Sequence, residues 1–94
     1  MKIAWTRLAV YDLNSAYEYI VERREDSANH IIKRIEEALV ALAQHPQIGR
    51  EGRAEGTREL VLTGTPFVLA YRVGQKRIEI LALIHTSRKW PEFI

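Results

Sequence analysis

The chain has 94 residues, no cysteine, 47% hydrophobic and 28% charged residues, the balance expected of one folded domain spanning residues 1–94. The lack of cysteine excludes disulfides, thiolate metal sites and a cysteine nucleophile, and it suits a reducing, cytoplasmic setting. The net charge of +2 is uneven: residues 1–43 carry six Lys/Arg against seven Asp/Glu, and residues 44–94 carry eight against five, so the basic excess suits either an anionic partner or a solvated sheet surface.

Lys2–Trp5 reads as a short strand with Ile3 and Trp5 on one face. Arg7 and Asp12 interrupt the N-terminal segment before an apolar signal region can form, so no secretory leader is expected. Thr6 is placed to cap a helix running from Arg7 to about Arg23, with Leu13, Ala16, Tyr17, Ile20 and Val21 forming its apolar stripe. Tyr11, Tyr17 and Tyr19 lie on this helix and read mainly as packing residues. Asp26 or Ser27 can cap a second helix, whose stripe is Ala28, Ile31, Ile32, Ile35, Leu39 and Leu42 and which ends near Gln44, before Pro46. Two helices with a short link make an antiparallel hairpin.

A glycine-punctuated loop, Pro46 to Gly56, leads to three strands. These are about Thr57–Thr63, then Phe67–Val73, then Arg77–His85, with turns at Gly64-Thr65 and Gly74-Gln75. Trp5 and Tyr71 fall on buried faces. Ile80–Ile84 is apolar on both faces, which places the last strand inside the sheet; it is too short to span a bilayer. The expected fold is therefore α+β, in the order β-α-α-β-β-β, with a helical hairpin on a mainly antiparallel four-stranded sheet.

The candidate chemistry gathers late in the chain. His85 stands one step past the apolar strand, where an imidazole can act as acid or base, or can simply hydrogen-bond and orient the tail. His30 faces outward by its phase and His45 ends a helix; the three histidines lack metal-ligand spacing, so neither metal nor cofactor is expected. Arg50, Arg53, Arg58 and Arg88 could bind phosphate, but strand arginines also pair with cross-strand glutamates, and Glu59 and Glu79 are available. Arg72 reads as such a salt-bridge residue. Lys89, Trp90 and Phe93 complete a basic, aromatic tail that either recognises a target or folds back onto the sheet. GREGRAEG lacks the GK[ST] ending of a phosphate loop.

Four segments carry a resemblance: His45-Pro46-Gln47-Ile48-Gly49-Arg50, Gly56-Thr57-Arg58-Glu59-Leu60, Pro66–Val73, and Ile78–Leu81 running on to His85, Arg88 and Trp90. In this order and spacing, over nearly the whole chain, the sequence resembles the RelE/ParE superfamily of type II toxin–antitoxin toxins. The resemblance implies a cytoplasmic toxin held inactive by a co-encoded antitoxin, which alone would bring operator DNA into contact with the complex. RelE-like members cleave mRNA on the ribosome without metal, whereas ParE-like members inhibit DNA gyrase. The match leans to the ParE side. The loop offers Arg50 and Arg53 but no lysine, the strand position expected to hold a nuclease arginine falls on Val68, and the chain ends in Phe93-Ile94 rather than a tyrosine. The implied target-binding set is Arg50, Arg53, Arg88, Lys89 and Trp90. A nuclease would instead draw its catalytic groups from His85, Arg58 and Arg88. A third reading is an inactive toxin fold serving as a co-repressor.

Overall fold

The structure is a computed structural model that describes residues 1–88 and Trp90. Strand β1 (Lys2–Trp5) leads into helices α1 (Arg7–Val21) and α2 (Glu25–Gln44), followed by β2 (Arg50–Glu51), β3 (Arg58–Val61), β4 (Phe67–Val73) and β5 (Arg77–His85). The strands form one sheet in the order β1-β5-β4-β3-β2. Strand β1 runs parallel to β5, and the other pairings are antiparallel. The sheet thus has five strands rather than four. The extra strand, β2, comes from the glycine-punctuated loop, and two residues are too few to show an alternating pattern in sequence.

Thr6 caps α1 as its chemistry requires, its hydroxyl accepting the Ala9 N–H at 3.2 Å. The second helix departs from expectation. It starts at Glu25 with extended Arg24 in the cap position and no side-chain cap, so Asp26 and Ser27 lie inside the helix. Glu25 and Asp26 then sit in the first turn, where carboxylates oppose the positive end of the helix dipole.

The main core lies between the helical hairpin and one face of the sheet. Ala9, Ile31, Ile35 and Leu42 from the helices meet Leu62, Leu69, Tyr71, Ile78, Ile80 and Leu83, with Trp5 half-buried at its margin. The α1 tyrosines do not pack into it as expected: Tyr11 is 69%, Tyr19 52% and the stripe member Tyr17 37% exposed. From this helix, buried Ala9 and half-buried Leu13, Ala16 and Ile20 cover the sheet.

A register shift lets the apolar centre of the last strand serve both faces of the sheet. Tyr71 pairs with Ile80 and Ala70 with Ala82, so Leu81 is an extra residue in β5. Ile78, Ile80 and Leu83 can then all face the helices, while Ala82 and Ile84 face the other way. On that second face Ala70, Ala82 and Ile84 form a smaller cluster with Leu8, Leu81 and Trp90.

Candidate functional site

The first neighbourhood lies where β5 outruns its parallel partner. Strand β1 ends at Trp5, opposite Ile80, but β5 continues to His85. An uncovered strand edge carries free backbone groups, and α1 satisfies part of this one. The Thr6 N–H donates to the Ile80 carbonyl at 3.0 Å, the Thr6 hydroxyl donates to the Leu81 carbonyl at 3.1 Å, and the Leu83 N–H donates to Asp12 Oδ2 at 3.1 Å. Beside this edge opens a groove of about 760 Å³, whose lining includes Tyr11, Asp12, Tyr19, Phe67, His85 and Arg88. Partial burial pushes the Asp12 carboxyl above its ordinary value, and the Leu83 hydrogen bond offsets part of that rise.

His85 lies at the mouth of the groove. Its ring meets Phe67 edge-on, with centroids 5.3 Å apart. Its Nδ1 accepts the Ser87 N–H at 3.1 Å and lies 2.7 Å from the Ser87 hydroxyl. Accepting that N–H assigns the proton of the neutral ring to Nε2, so the nitrogen facing Ser87 is already engaged. Arg88 follows in the same turn, its N–H bonded to the His85 carbonyl at 3.0 Å.

The second neighbourhood lies across the sheet, on the face opposite the main helical core. Arg50 stands opposite Glu59 in register. Its guanidinium bonds Glu59 Oε1 at 3.1–3.2 Å, while Glu59 Oε2 accepts the Arg53 N–H at 2.9 Å. Glu59 is only 4% exposed. The Arg53 guanidinium sits over the Trp90 ring, 4.1 Å from its centroid. Trp90 is half-buried against the sheet, so the indole turns back onto the fold instead of projecting from its rim. Lys89 and Phe93 lie outside the described residues.

The candidate residues therefore separate. His85 and Arg88 share the groove, and Arg50, Arg53 and Trp90 share the open face. Arg58 joins neither group. Its guanidinium donates to the Gly49 carbonyl at 2.8 Å and reaches the Gln47 carbonyl at 3.4 Å. Arg58 pairs with Tyr71 and His85 with Phe67. Standard strand geometry then puts Arg58 and His85 about 13 Å apart along the sheet and roughly 10 Å across it. Arg72 pairs with Glu79 at 2.6 Å, as a salt-bridge residue would.

Sequence reasoning missed two members of these neighbourhoods. Asp12 read only as an interruption of the N-terminal apolar segment. Glu59 looked like a solvent-facing partner for an arginine, and its alternation with Leu60 hid its burial.

Residues 3–90 match the family described as the ParE toxin of the type II toxin–antitoxin system, parDE. The chain belongs to this ParE toxin family. Among its relatives, Y4kP of Sinorhizobium fredii is 38% identical over 99% of this chain and 96% of its own length. Toxin RelE2 of Caulobacter vibrioides is 31% identical over 93% and 97%. The chain is also similar to a solved structure from the chromosomal ParDE toxin–antitoxin system of P. aeruginosa, with 32% identity, a TM-score of 0.80, and coverage of 90% of this chain and 95% of that one. A YoeB/ParE toxin from Agrobacterium tumefaciens shares the fold, with a TM-score of 0.63 at 19% identity over 90% and 98% of the two chains.

The protein is thus a type II toxin on the ParE side of its superfamily, and the ParE toxin family implies a cognate antitoxin. Among the described residues, no helix of this ParE toxin is long and apolar enough to cross a membrane.

Proposed function

We propose that this toxin acts by binding DNA gyrase and inhibiting it, with no chemistry of its own. The observation that carries the reading is the dispersal of the nuclease candidates. Arg58 is turned onto the Gln47 and Gly49 carbonyls just before β2, two strands away from His85, and His85 Nδ1 is occupied by Ser87. An acid–base pair acting on a ribose hydroxyl needs its groups within hydrogen-bond reach of one another's substrate atoms. Likeness to a ParDE system supports the same reading. Purified toxin at micromolar concentration should block gyrase supercoiling, and His85→Ala should leave that inhibition intact. Undisturbed supercoiling would count against gyrase as the target.

A second reading is ribosome-dependent mRNA cleavage. It is favoured by one observation: His85 and Arg88 share an open groove. Toeprinting on translating ribosomes would support it if cleavage appears and His85→Ala removes it. If neither gyrase nor messenger is affected and induction leaves growth unchanged, the inactive co-repressor reading stands.

The groove between α1 and the end of β5 is the seat we assign to the antitoxin. Exposed Tyr11 and Tyr19 offer aromatic surface beside a strand edge that β1 leaves uncovered, which suits an amphipathic or extended partner segment. Tyr11→Arg with Tyr19→Arg should weaken antitoxin binding tenfold or more while gyrase inhibition persists.

A further inference from the structure

Glu59 is an unusual place for a charge. It occupies a position on the open face between Arg50 on β2 and Ala70 on β4, and it is 4% exposed. A buried carboxylate is expensive unless all its oxygens are engaged, and an apolar residue of similar volume is often as stabilising at such a site. Here both oxygens are engaged, each with a different part of one segment. Oε1 takes the Arg50 guanidinium from β2, and Oε2 takes the Arg53 N–H from the following loop. The loop also closes on itself, with the Gly52 N–H bonded to the Thr57 carbonyl at 2.8 Å and the Thr57 hydroxyl to the Ala54 carbonyl at 2.6 Å. Its one side-chain tie to the sheet floor near Arg53 is Glu59, among the described residues.

The Arg53 side chain leaves this fixed backbone and covers the Trp90 ring at 4.1 Å, within the range of an effective cation–π contact. The indole packs against the cluster of Ala70, Ala82 and Ile84, in which Ala70 and Ala82 are cross-strand neighbours. The order of contacts is continuous: Ala82, Ala70, Glu59 and Arg50 run across four strands, and Arg53 bridges from Glu59 to the indole seated at the alanine end.

We infer that Glu59 is a positioning residue: it fixes the Arg53 backbone so that the guanidinium clamps Trp90 onto the open face of the sheet. The clamp assembles Arg50, Arg53 and Trp90 into one surface, and the importance of that surface for target binding rests on the gyrase reading above.

The test is read from Trp90 itself. The chain has two tryptophans, so Trp5→Phe leaves Trp90 as the sole indole. In that background Arg53→Ala should raise the acrylamide quenching constant about twofold or more and shift the emission to the red. Glu59→Leu should do the same with far-UV circular dichroism unchanged, because leucine fills the buried volume but offers no acceptor to Arg53. Glu59→Gln, whose amide oxygen still reaches the Arg53 N–H, should retain most of the shielding. Arg53→Ala combined with Glu59→Leu should quench no more than Arg53→Ala alone. Wild-type quenching in Glu59→Leu, or additive effects in the double variant, would overturn the inference. Should Glu59→Leu not fold, Glu59→Ala is read in the same way. These measurements hold whether or not the protein inhibits gyrase. If it does, Glu59→Leu should lose potency together with Arg53→Ala.

Discussion

Leu83 and Asp12 are 71 positions apart, yet the Leu83 N–H donates to the Asp12 carboxylate at 3.1 Å and so satisfies one backbone donor on the strand edge that β1 leaves open. The bond ties α1 to the far end of β5, beside the groove assigned to the antitoxin. Asp12→Ala should leave this backbone donor unpaired and cost about 1–3 kcal/mol. Urea denaturation of the two proteins measures the loss.

The same carboxyl sets a pH dependence. Burial raises it above the ordinary 3.8, outweighing the lowering by the Leu83 bond. The folded chain then binds the proton more tightly than the unfolded chain. This contribution to stability is complete below the unfolded value and is lost as pH rises through the raised folded one. Asp12→Asn keeps an acceptor for Leu83 but cannot titrate. The stability of wild type relative to Asp12→Asn should therefore fall as pH increases across that window, as followed by urea midpoints from about pH 3 to pH 7.

Tyr71 anchors the entrance to β2. Its hydroxyl accepts the Gly49 N–H at 2.8 Å and donates to the Pro46 carbonyl at 2.8 Å. Tyr71→Phe removes a partner from both groups and should cost about 1–3 kcal/mol. Gly49→Ala should cost a similar amount, about 1–3 kcal/mol through overpacking. Its Cβ would meet the Tyr71 hydroxyl at 2.6 Å and the Glu59 carbonyl at 2.9 Å. Denaturant midpoints should fall for both, and the double variant should be less destabilised than the sum because Tyr71→Phe removes the hydroxyl oxygen that the added Cβ meets.

Arg72 and Glu79 form an exposed pair on the open face. The hydrogen bond from Arg72 is the leading cause that holds the Glu79 carboxyl below its ordinary 4.5. A lowered carboxyl contributes stability above the unfolded value and loses it as pH falls through the folded one. Arg72→Ala should return Glu79 toward its ordinary titration, seen by carboxyl NMR, with no measurable change in melting temperature at neutral pH, because water screens the pair.

The core and the tyrosine face should respond oppositely to truncation. Ile80 is fully buried between the sheet and the helices, so Ile80→Ala should cost about 2–5 kcal/mol. Tyr11 is largely exposed, so Tyr11→Ala should change stability by no more than about 0.5 kcal/mol. Thermal denaturation distinguishes the two.

Much of the fold is written locally. Thr6 caps α1, and β4 and β5 span Phe67–Val73 and Arg77–His85 as their turns and apolar runs indicated. The miscast residues are those whose surroundings come from elsewhere. Tyr11 and Tyr19 lie on a helix but face beyond the sheet, and two-residue β2 depends on pairing with β3. At the site, the sequence offered Arg50, Arg53, Arg88, Lys89 and Trp90 as one set, whereas the structure puts Arg88 with His85 in the groove and Arg50, Arg53 and Trp90 on the open face.

From the order of its residues, this chain determined its helices, its three late strands, the interior place of the last one and its ParE affinity. Periodicity, capping and turn chemistry act between near neighbours, and family motifs are read along the chain. Tertiary structure alone decided that Asp12 bonds the edge of β5, that Glu59 is buried between two arginine segments and that Arg53 meets Trp90. Those contacts depend on the strand order and on one extra residue at Leu81, and both arise only when distant segments pair.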